Sequence, residues 1–261
     1  MTTYNAIALV DLDDTLFQTL RKCPSDLHLN ALTPMAFSAD GKPISYATPA
    51  QMNLIRWLEE TTLFVPVTAR STNALYRTEL KFDLAVAAHG AVILNRDGQN
   101  KPADASRDMS WHNAMESALG PHLAALQALE ASILAFAKVS NLRVRTQIVT
   151  EHALAIYLVV KHQDADGNDP DLMAATEPFR VALHDGWTLH MNGNNVAFMP
   201  PGLGKASAVA ELLTRLRQAH PGLPVIGAGD SHTDLPFMRL CDFMLTPPNS
   251  QIALAMVHDD D

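Results

Sequence analysis

Four aspartates stand in two acidic clusters, and each cluster follows a short apolar run. Asp11 and Asp13 come directly after residues 6–10, while Asp230 and Asp234 follow the run that begins at residue 224. Such runs, bounded by turn residues, are typical of strands buried in a parallel sheet, whose carboxyl ends open onto a ligand crevice. Carboxylates gathered there repel one another unless a cation lies between them. The pattern therefore predicts a site for a hard divalent cation, of which Mg²⁺ is the usual occupant in an open, oxygen-lined site.

Asp11 and Asp13 have the spacing that lets two carboxylates act on one substrate. In a strand that leads into a loop, alternate residues point the same way, so both side chains reach the same side. One carboxylate can act as a nucleophile that forms an acyl-phosphate, and the other can protonate the leaving oxygen and later activate water. Taken alone, an Asp-x-Asp pair is weak evidence, because acidic pairs are common in surface turns.

Thr68 and Lys205 stand at element boundaries where they can bind an anion. Thr68 ends an apolar run, so its hydroxyl can donate to a phosphoryl oxygen, although a threonine there more often caps the following helix. Lys205 begins a helix after the Pro/Gly-rich residues 200–204, so its ammonium and the helix N-terminus can both face an anion. A lone lysine is nevertheless most often a solvated surface residue.

Two glycine-containing segments fall short of nucleotide-binding motifs. The segment before Lys205 has Met199 where a Walker loop has its first glycine and Ala206 where it has Ser or Thr. After the Gly-Ala-Gly of residues 227–229, His232 takes the place of the third glycine of a dinucleotide fingerprint. The sequence thus disfavours a nicotinamide-dependent oxidoreductase.

The surrounding elements must position these residues. The alternation of apolar runs with helical patterns favours a parallel sheet covered by helices. One helix begins with Thr48-Pro49-Ala50-Gln51, a capping box with proline at the first helical position. The predicted strands are residues 6–10, 63–67, 84–88, 224–226 and 243–245, and further helices are predicted at 72–80 and 205–219. Prolines break up residues 17–47, so we expect an irregular connection that helps to cover the site.

The middle of the chain has a different pattern, which indicates a second domain. It predicts a helix over 110–137, a β-hairpin over 142–149 and 153–161, a helix over 171–183, and strands at 187–191 and 195–199. This mixture is typical of an α+β lobe. We therefore predict a core formed by residues 1–91 and 196–261 and an inserted domain formed by residues 92–195.

Composition excludes several classes of protein. The 261 residues carry a net charge of −9, which argues against nucleic acid as a partner, and a hydrophobic content of 48% argues against general disorder. Two cysteines provide neither a disulfide framework nor a zinc cluster. The N-terminus lacks the basic start of a secretory signal, and no apolar stretch approaches the roughly 20 residues that cross a bilayer. We expect a cytoplasmic protein with no membrane partner, and the sequence leaves its oligomeric state open.

The order of the motifs resembles the haloacid dehalogenase superfamily of phosphoryl-transfer enzymes. The matching elements are Asp-x-Asp-x-Thr at residues 11–15, then Thr68, then Lys205, then Gly229-Asp230-x-x-x-Asp234. The large segment between the second and third motifs, and the phrases at residues 89–93 and 229–238, are similar to a subgroup that contains sucrose-phosphate and mannosylphosphoglycerate phosphatases. The resemblance implies a doubly wound, Rossmann-like parallel-sheet core with an inserted α+β cap domain.

The same resemblance implies roles for individual residues. Asp11 is then the nucleophile and Asp13 the general acid/base, while Thr68 and Lys205 bind the transferring phosphoryl group. Mg²⁺ is held by the Asp11 carboxylate, the Asp13 carbonyl and Asp230, with Asp234 as a further ligand or a supporting partner. Candidate substrate-binding residues are Arg70, His89, Arg145, Tyr157 and Lys161, although a structural or solvated role is open for each. Three positions depart from many relatives, which have Gly, Asn and Asn where this chain has Asp14, His89 and Thr233.

These features lead to one favoured function and two alternatives. The favoured function is a Mg²⁺-dependent phosphatase that hydrolyses a small phosphorylated metabolite, a sugar phosphate or sugar-acid phosphate, through an aspartyl-phosphate. The first alternative is a phosphomutase of the phosphomannomutase type, which needs a second phosphate site in the cap. The second is a non-enzymatic metabolite-binding protein, which is disfavoured because all the catalytic positions are filled.

Overall fold

The chain folds into two units in the computed structural model, which describes residues 4–96, 105–164, 170–181, 186–192 and 195–258. The core unit comprises Met1–His112 and Gly204–Asp261, and the inserted unit comprises residues 113–203. The sequence pattern placed the boundaries after residues 91 and 195. The first boundary lies later because the strands Val92–Arg96 and Ala105–Arg107 extend an antiparallel ladder from Leu84–Ala87 within the core unit.

The described strands and helices have the following bounds. The strands are β1 (Ala6–Val10), β2 (Thr33–Phe37), β3 (Pro43–Ala47), β4 (Thr62–Pro66), β5 (Leu84–Ala87), β6 (Val92–Arg96), β7 (Ala105–Arg107), β8 (Val144–Glu151), β9 (Leu154–His162), β10 (Thr188–Asn192), β11 (Asn195–Met199), β12 (Val225–Ala228) and β13 (Phe243–Leu245). The helices are α1 (Pro49–Thr61), α2 (Thr72–Leu75), α3 (Met109–Leu119), α4 (Leu123–Val139), α5 (Pro170–Val181), α6 (Lys205–Ala219), α7 (Leu235–Met238) and α8 (Gln251–His258).

A parallel sheet in the order β13-β12-β1-β4 lies at the centre of the core unit, as the sequence predicted. All five residues of β1 are buried, which is why this strand reads as a continuous apolar run. Val10 pairs with Ala228 of β12 on one side and with Pro66 of β4 on the other. The carboxyl ends of these three strands therefore meet at one edge of the sheet.

Pro66 lies inside β4 although proline cannot donate to a β-ladder. The amide of Val67 donates to Val10 and the amide of Thr68 donates to Val86, so successive amides point to alternate sides. The nitrogen of Pro66 therefore faces away from β1, toward β5, where the two strands share only the bridge between Val67 and Val86 in the described part of the chain. Proline is tolerated because no regular ladder bond is lost on that side.

The stretch 17–47, which we expected to be irregular, carries an antiparallel hairpin formed by β2 and β3. Its register shifts twice between Pro34 and Phe37. The hairpin is anchored by backbone pairing of Gln18 with Tyr46 and of Ala36 with Thr78. The sequence did not predict this hairpin because both of its strands contain proline, which is disfavoured in strands except at edges and bulges.

Some helices begin and end where the sequence predicted, and others have different bounds. The capping box of α1 is confirmed, because Thr48 accepts from the Gln51 amide and the Gln51 side chain accepts from the Thr48 amide. Helix α6 begins at Lys205 as predicted. Helix α2 ends at Leu75, shorter than the predicted 72–80. The predicted helix over 110–137 is split into α3 and α4 by a 3₁₀ turn that contains Pro121.

The inserted unit is a four-stranded antiparallel sheet in the order β10-β11-β9-β8, with helices on one face. Its core joins side chains of α4 and α5 to alternate residues of the strands: Leu126, Ile133, Ala137, Val144, Leu158, Val160, Leu172, Ala175, Val196 and Phe198. The hairpin of β8 and β9 confirms the predicted pairing, and it turns at His152 and Ala153, both with positive φ.

One helical run, Met109–Val139, is long and apolar enough by length and composition alone to span a membrane. This corrects the expectation that no stretch reaches that length. A single run of this kind is weak evidence, because core helices of soluble proteins meet the same criterion. Leu126, Ile133 and Ala137 of this run pack into the core of the inserted unit.

Candidate active site

Asp11, Lys205 and Asp234 form a buried charge cluster at the edge where the central strands end. The Lys205 ammonium donates to Oδ1 of Asp11 and to Oδ1 of Asp234, both at 2.6 Å. The side chains of Asp11, Lys205 and Asp234 are only 7%, 9% and 1% exposed. The structure thus brings together three residues that are distant in sequence, and the single cation is shared by two carboxylates.

The charges of this cluster determine its protonation. Burial raises the pKa of Asp11 to about 8, Lys205 opposes the increase, and Asp234 and Asp13 add to it. Burial lowers the pKa of Lys205, but Asp11 and Asp234 more than offset it, so its pKa lies above the ordinary value and the ammonium stays charged. The site therefore has more negative charge than one lysine neutralises, and a further cation would ionise Asp11 fully.

Asp230 completes a donor set that suits a divalent cation. Oxygen atoms of Asp11, Asp230 and Asp234 lie within 4.8 Å of one another. Burial, together with the charges of Asp234 and Asp14, raises the pKa of Asp230 to about 6. An all-oxygen set of carboxylates is the ligand chemistry of Mg²⁺, so the residues present fit the predicted metal.

Asp234 is held by its own loop. Its Oδ2 accepts from the backbone amide of Ser231 at 3.1 Å and from the Ser231 hydroxyl at 2.7 Å. Its Oδ1 is taken by Lys205. A Cβ at Gly229 would lie 2.6 Å from the Asp234 Cβ, so only glycine lets the loop close this tightly. Of the two roles left open by the sequence, this bonding favours Asp234 as the partner that positions Lys205.

Asp13 is paired with Arg70 rather than with Lys205. The Arg70 guanidinium donates from Nε to Oδ2 of Asp13 at 2.8 Å and from Nη2 to Oδ1 at 2.7 Å, a two-pronged pair of fixed geometry. The guanidinium also lies 5.3 Å from the centre of the buried Phe17 ring and 3.5 Å from the Ser45 hydroxyl of β3. The sequence left open whether Arg70 binds substrate or holds a neighbouring element in place. In the structure Arg70 contacts Asp13, the second aspartate of the motif.

Thr68 lies two residues after the end of β4, close to the strand end that the sequence predicted for it. Its hydroxyl accepts from the Arg70 amide at 3.0 Å and is buried. The hydroxyl hydrogen can still donate to another group. Thr15, the last residue of the first motif, donates to Oδ2 of Asp11 at 3.3 Å. The sequence motif contains Thr15 but does not indicate this contact to Asp11.

His89 lies in a left-handed turn that joins two loops of the site. Ala88, His89 and Gly90 have φ of 51°, 56° and 99°, a conformation that non-glycine residues rarely adopt. The amide of His89 donates to the carbonyl of Thr68 at 3.2 Å. A Cβ at Gly90 would lie 2.3 Å from the carbonyl oxygen of Gly204, which precedes Lys205. The turn therefore contacts the backbone of Thr68 on one side and the backbone of Gly204 on the other. The sequence did not indicate this role for Gly90.

Asp14 also has a positive φ of 64°. Aspartate tolerates this region better than most residues, so the loop can adopt this conformation without glycine. The side chain forms an ion pair with Lys22. Arg145, Tyr157 and Lys161, by contrast, lie in the inserted unit on β8 and β9.

Comparisons with known proteins give a fold but no sequence match. No protein-family model and no curated protein matches this chain. Among solved structures it is similar to the sucrose-phosphatase of Synechocystis sp. PCC6803 in complex with sucrose and phosphate, at 14% identity over 98% of this chain and 88% of that chain, with a TM-score of 0.54. It is also similar to the IMP-nucleotidase of Plasmodium falciparum, at 13% identity over 97% and 67% of the two chains, with a TM-score of 0.51.

A third similar structure is the C-terminal domain of C. albicans trehalose-6-phosphate phosphatase, at 14% identity over 89% of this chain and 72% of that chain, with a TM-score of 0.50. Together with the parallel sheet and the inserted antiparallel sheet, these likenesses show the haloacid dehalogenase fold with a cap. The fold class predicted from the sequence is therefore confirmed.

Proposed function

On this fold we propose that the chain is a Mg²⁺-dependent phosphomonoesterase that acts on a small phosphorylated metabolite. One observation carries the proposal: Asp11 is buried at the end of β1, bonded to Lys205, and within reach of a common cation with Asp230. Phosphoryl transfer depends mainly on positioning and charge neutralisation, and this arrangement supplies both. The similar structures whose names include sugar phosphates and a nucleotide support phosphate esters as the substrate class.

The residues divide the reaction between them. The Asp11 carboxylate attacks phosphorus, the bond to the leaving oxygen breaks, and an aspartyl-phosphate forms. Asp13 gives a proton to the leaving oxygen and then takes one from the water that hydrolyses the intermediate. Lys205 and Thr68 bind the phosphoryl oxygens. Asp11 and Asp230 would hold Mg²⁺, which would supply charge neutralisation for the transferring group.

Metal dependence tests the proposal. Chelation should abolish phosphate release from a panel of phosphorylated metabolites, and Mg²⁺ should restore it. Because Asp11 and Asp230 must lose protons to bind a cation, and their pKa values are raised to about 8 and about 6, Mg²⁺ affinity should increase as the pH rises from about 6 to about 8. Calorimetric titration at several pH values measures this affinity directly, whatever the activity.

Asp230→Ala should lower Mg²⁺ affinity by roughly a hundredfold or more, because an oxygen-rich site loses one of its few charged ligands. Asp26→Asn is the control, since Asp26 is exposed in the segment before β2. Full activity in chelator, or equal Mg²⁺ affinity in both variants, would exclude the proposed metal site.

Arg70 should act through Asp13. Arg70→Met should lower kcat for alkyl phosphates by roughly tenfold to a hundredfold but have less effect on aryl phosphates, whose leaving groups need little protonation. Arg70→Lys should not restore activity, because an ammonium cannot reproduce the two parallel bonds. In the Asp13→Asn background, Arg70→Met should cause little further loss. Multiplicative losses in that double variant would instead show that Arg70 binds substrate independently. Arg56→Met, on the exposed face of α1, is the control.

A further inference from the structure

The left-handed turn at residues 88–90 lies against the peptide bond that precedes Lys205. A Cβ at Gly90 would be 2.3 Å from the carbonyl oxygen of Gly204 and 3.1 Å from the amide nitrogen of Lys205, so the Gly90 backbone is in direct contact with that peptide bond. Gly204 is the N-cap of α6 and has no side chain with which to hold the start of the helix. The turn therefore fixes the point from which the Lys205 side chain reaches Asp11.

Trp111, in the first turn of α3, holds the turn at residues 88–90 in place. Its indole Nε1 donates to the carbonyl oxygen of Gly90 at 2.9 Å. The Trp111 side chain is buried. The indole is rigid and has a single polar atom, which can only donate, so a ring that is packed in one position fixes the position of the carbonyl that it binds.

Trp111 is connected to α6 a second time, through Asp108. Oδ1 of Asp108 accepts from the backbone amide of Trp111 at 2.9 Å, and Oδ2 forms an ion pair with Arg215 of α6. Burial acts to raise the pKa of Asp108, but the bonds from Trp111 and Arg215 more than offset it, so its pKa lies below the ordinary value and the carboxylate stays charged. Helix α6 is thus bonded to the beginning of α3 at Arg215 and contacts the turn at residues 88–90 at its first peptide bond.

We propose that Trp111 is a positioning residue for Lys205. Resting on the proposed function, the inference is that the indole N–H keeps Gly90 against the peptide bond between Gly204 and Lys205. It thereby holds the ammonium where it bonds Asp11 and binds the phosphoryl group. Trp111 acts through the backbone of two other segments and has no chemical role of its own in the reaction.

Two variants remove the N–H donor of Trp111. Trp111→Phe should lower kcat/KM for phosphate esters roughly tenfold to a hundredfold, because a small displacement of a group that binds the reacting atoms has effects of that size. The phenyl ring is also smaller than the indole. The second variant therefore carries benzothienylalanine at position 111, in which sulfur replaces the N–H in a ring system of the same size, and it should show the same loss.

The exposed Trp57 of α1 provides the matched control, and Trp57→Phe should keep the wild-type kcat/KM. The chain has three tryptophans, so the sulfur analogue is incorporated in a background that carries Trp57→Phe and Trp187→Phe. It is compared with natural tryptophan in that same background.

Nitrogen NMR of the lysine ammonium groups gives a readout that needs no activity. The Lys205 ammonium is buried and bonded to two carboxylates, so its protons should exchange slowly with water and its Nζ signal should be resolved. The loss of this signal in Lys205→Met assigns it. Both Trp111 variants should shift or broaden the signal, whereas Trp57→Phe should leave it unchanged.

The outcomes separate this inference from the proposed function. A Lys205 signal that is unchanged in both Trp111 variants, or a kcat/KM equal to that of wild type, would overturn the positioning role and leave the phosphatase function intact. A loss in Trp111→Phe that the sulfur analogue does not share would assign the effect to ring volume and would also overturn it. Absence of phosphatase activity in wild type, with a Lys205 signal that changes in both Trp111 variants, would reject the proposed function and keep the coupling of Trp111 to Lys205.

Discussion

Asp11→Asn should lower phosphate release by at least about a thousandfold for every substrate, because the amide cannot form an aspartyl-phosphate. The fold should persist. Burial raises the pKa of Asp11 to about 8 from its ordinary 3.8, so the folded state holds this proton more tightly than the unfolded chain between those values. The protonated Asp11 carboxyl therefore contributes to the stability of the folded state at low pH, and this contribution is lost as the pH rises toward 8. A neutral amide avoids that loss.

The measurement has three parts. Steady-state release of phosphate gives the rate, hydroxylamine trapping detects the acyl-phosphate, and thermal melting without metal at pH 5 and pH 8 reports the fold. Wild type should lose more melting temperature than Asp11→Asn between these two pH values. Asp40→Asn, on the exposed turn between β2 and β3, should behave as wild type. More than a few per cent of wild-type activity in Asp11→Asn would falsify the nucleophile assignment.

The parts of the site that the sequence predicted are those encoded by local pattern. The run before Asp11 is apolar because β1 is buried throughout, and the position of Asp11 at the end of that strand follows. Lys205 was placed at a helix start because the Pro/Gly-rich residues before it cannot continue a helix, and α6 begins there. In a parallel sheet the carboxyl ends of neighbouring strands lie at the same edge. The predicted topology was therefore enough to place Asp11 and Lys205 near each other.

The parts that the sequence did not predict depend on contacts between distant segments. Nothing near Arg70 indicates that its guanidinium binds Asp13, because the pair forms only after β1 and β4 become neighbours. Gly90 follows a strand like many glycines, and its importance appears only when the carbonyl of Gly204 lies against it. The hairpin of β2 and β3 contains prolines that usually prevent strands. At these positions local propensity predicts one conformation or role, whereas tertiary contacts determine a different one.

Lys205→Met should cause the largest combined loss of activity and stability. It removes the only ammonium bonded to Asp11 and Asp234 in the described part of the chain and leaves two buried carboxylates facing each other. Breaking a buried charge cluster by removing one partner typically costs roughly 3–5 kcal/mol. Without the ammonium, the pKa of Asp11 should rise further. The folded state then holds its proton more tightly, so the destabilisation should increase as the pH rises through neutrality.

Urea unfolding of Lys205→Met at pH 5.5 and pH 8 measures this loss, and phosphate release measures activity. Mg²⁺ should recover part of the stability, because a cation bound by Asp11 and Asp230 reduces the repulsion, but it should not restore turnover, because the phosphoryl group has lost its lysine ligand. Lys42→Met removes an exposed ammonium paired with Asp40 and should leave both quantities unchanged. If Lys205→Met is no less stable at pH 8 than at pH 5.5, relative to wild type, then Lys205 does not neutralise Asp11 and Asp234. If Mg²⁺ restores full turnover as well, the lysine serves only to stabilise the site, and the metal alone accounts for charge neutralisation at phosphorus.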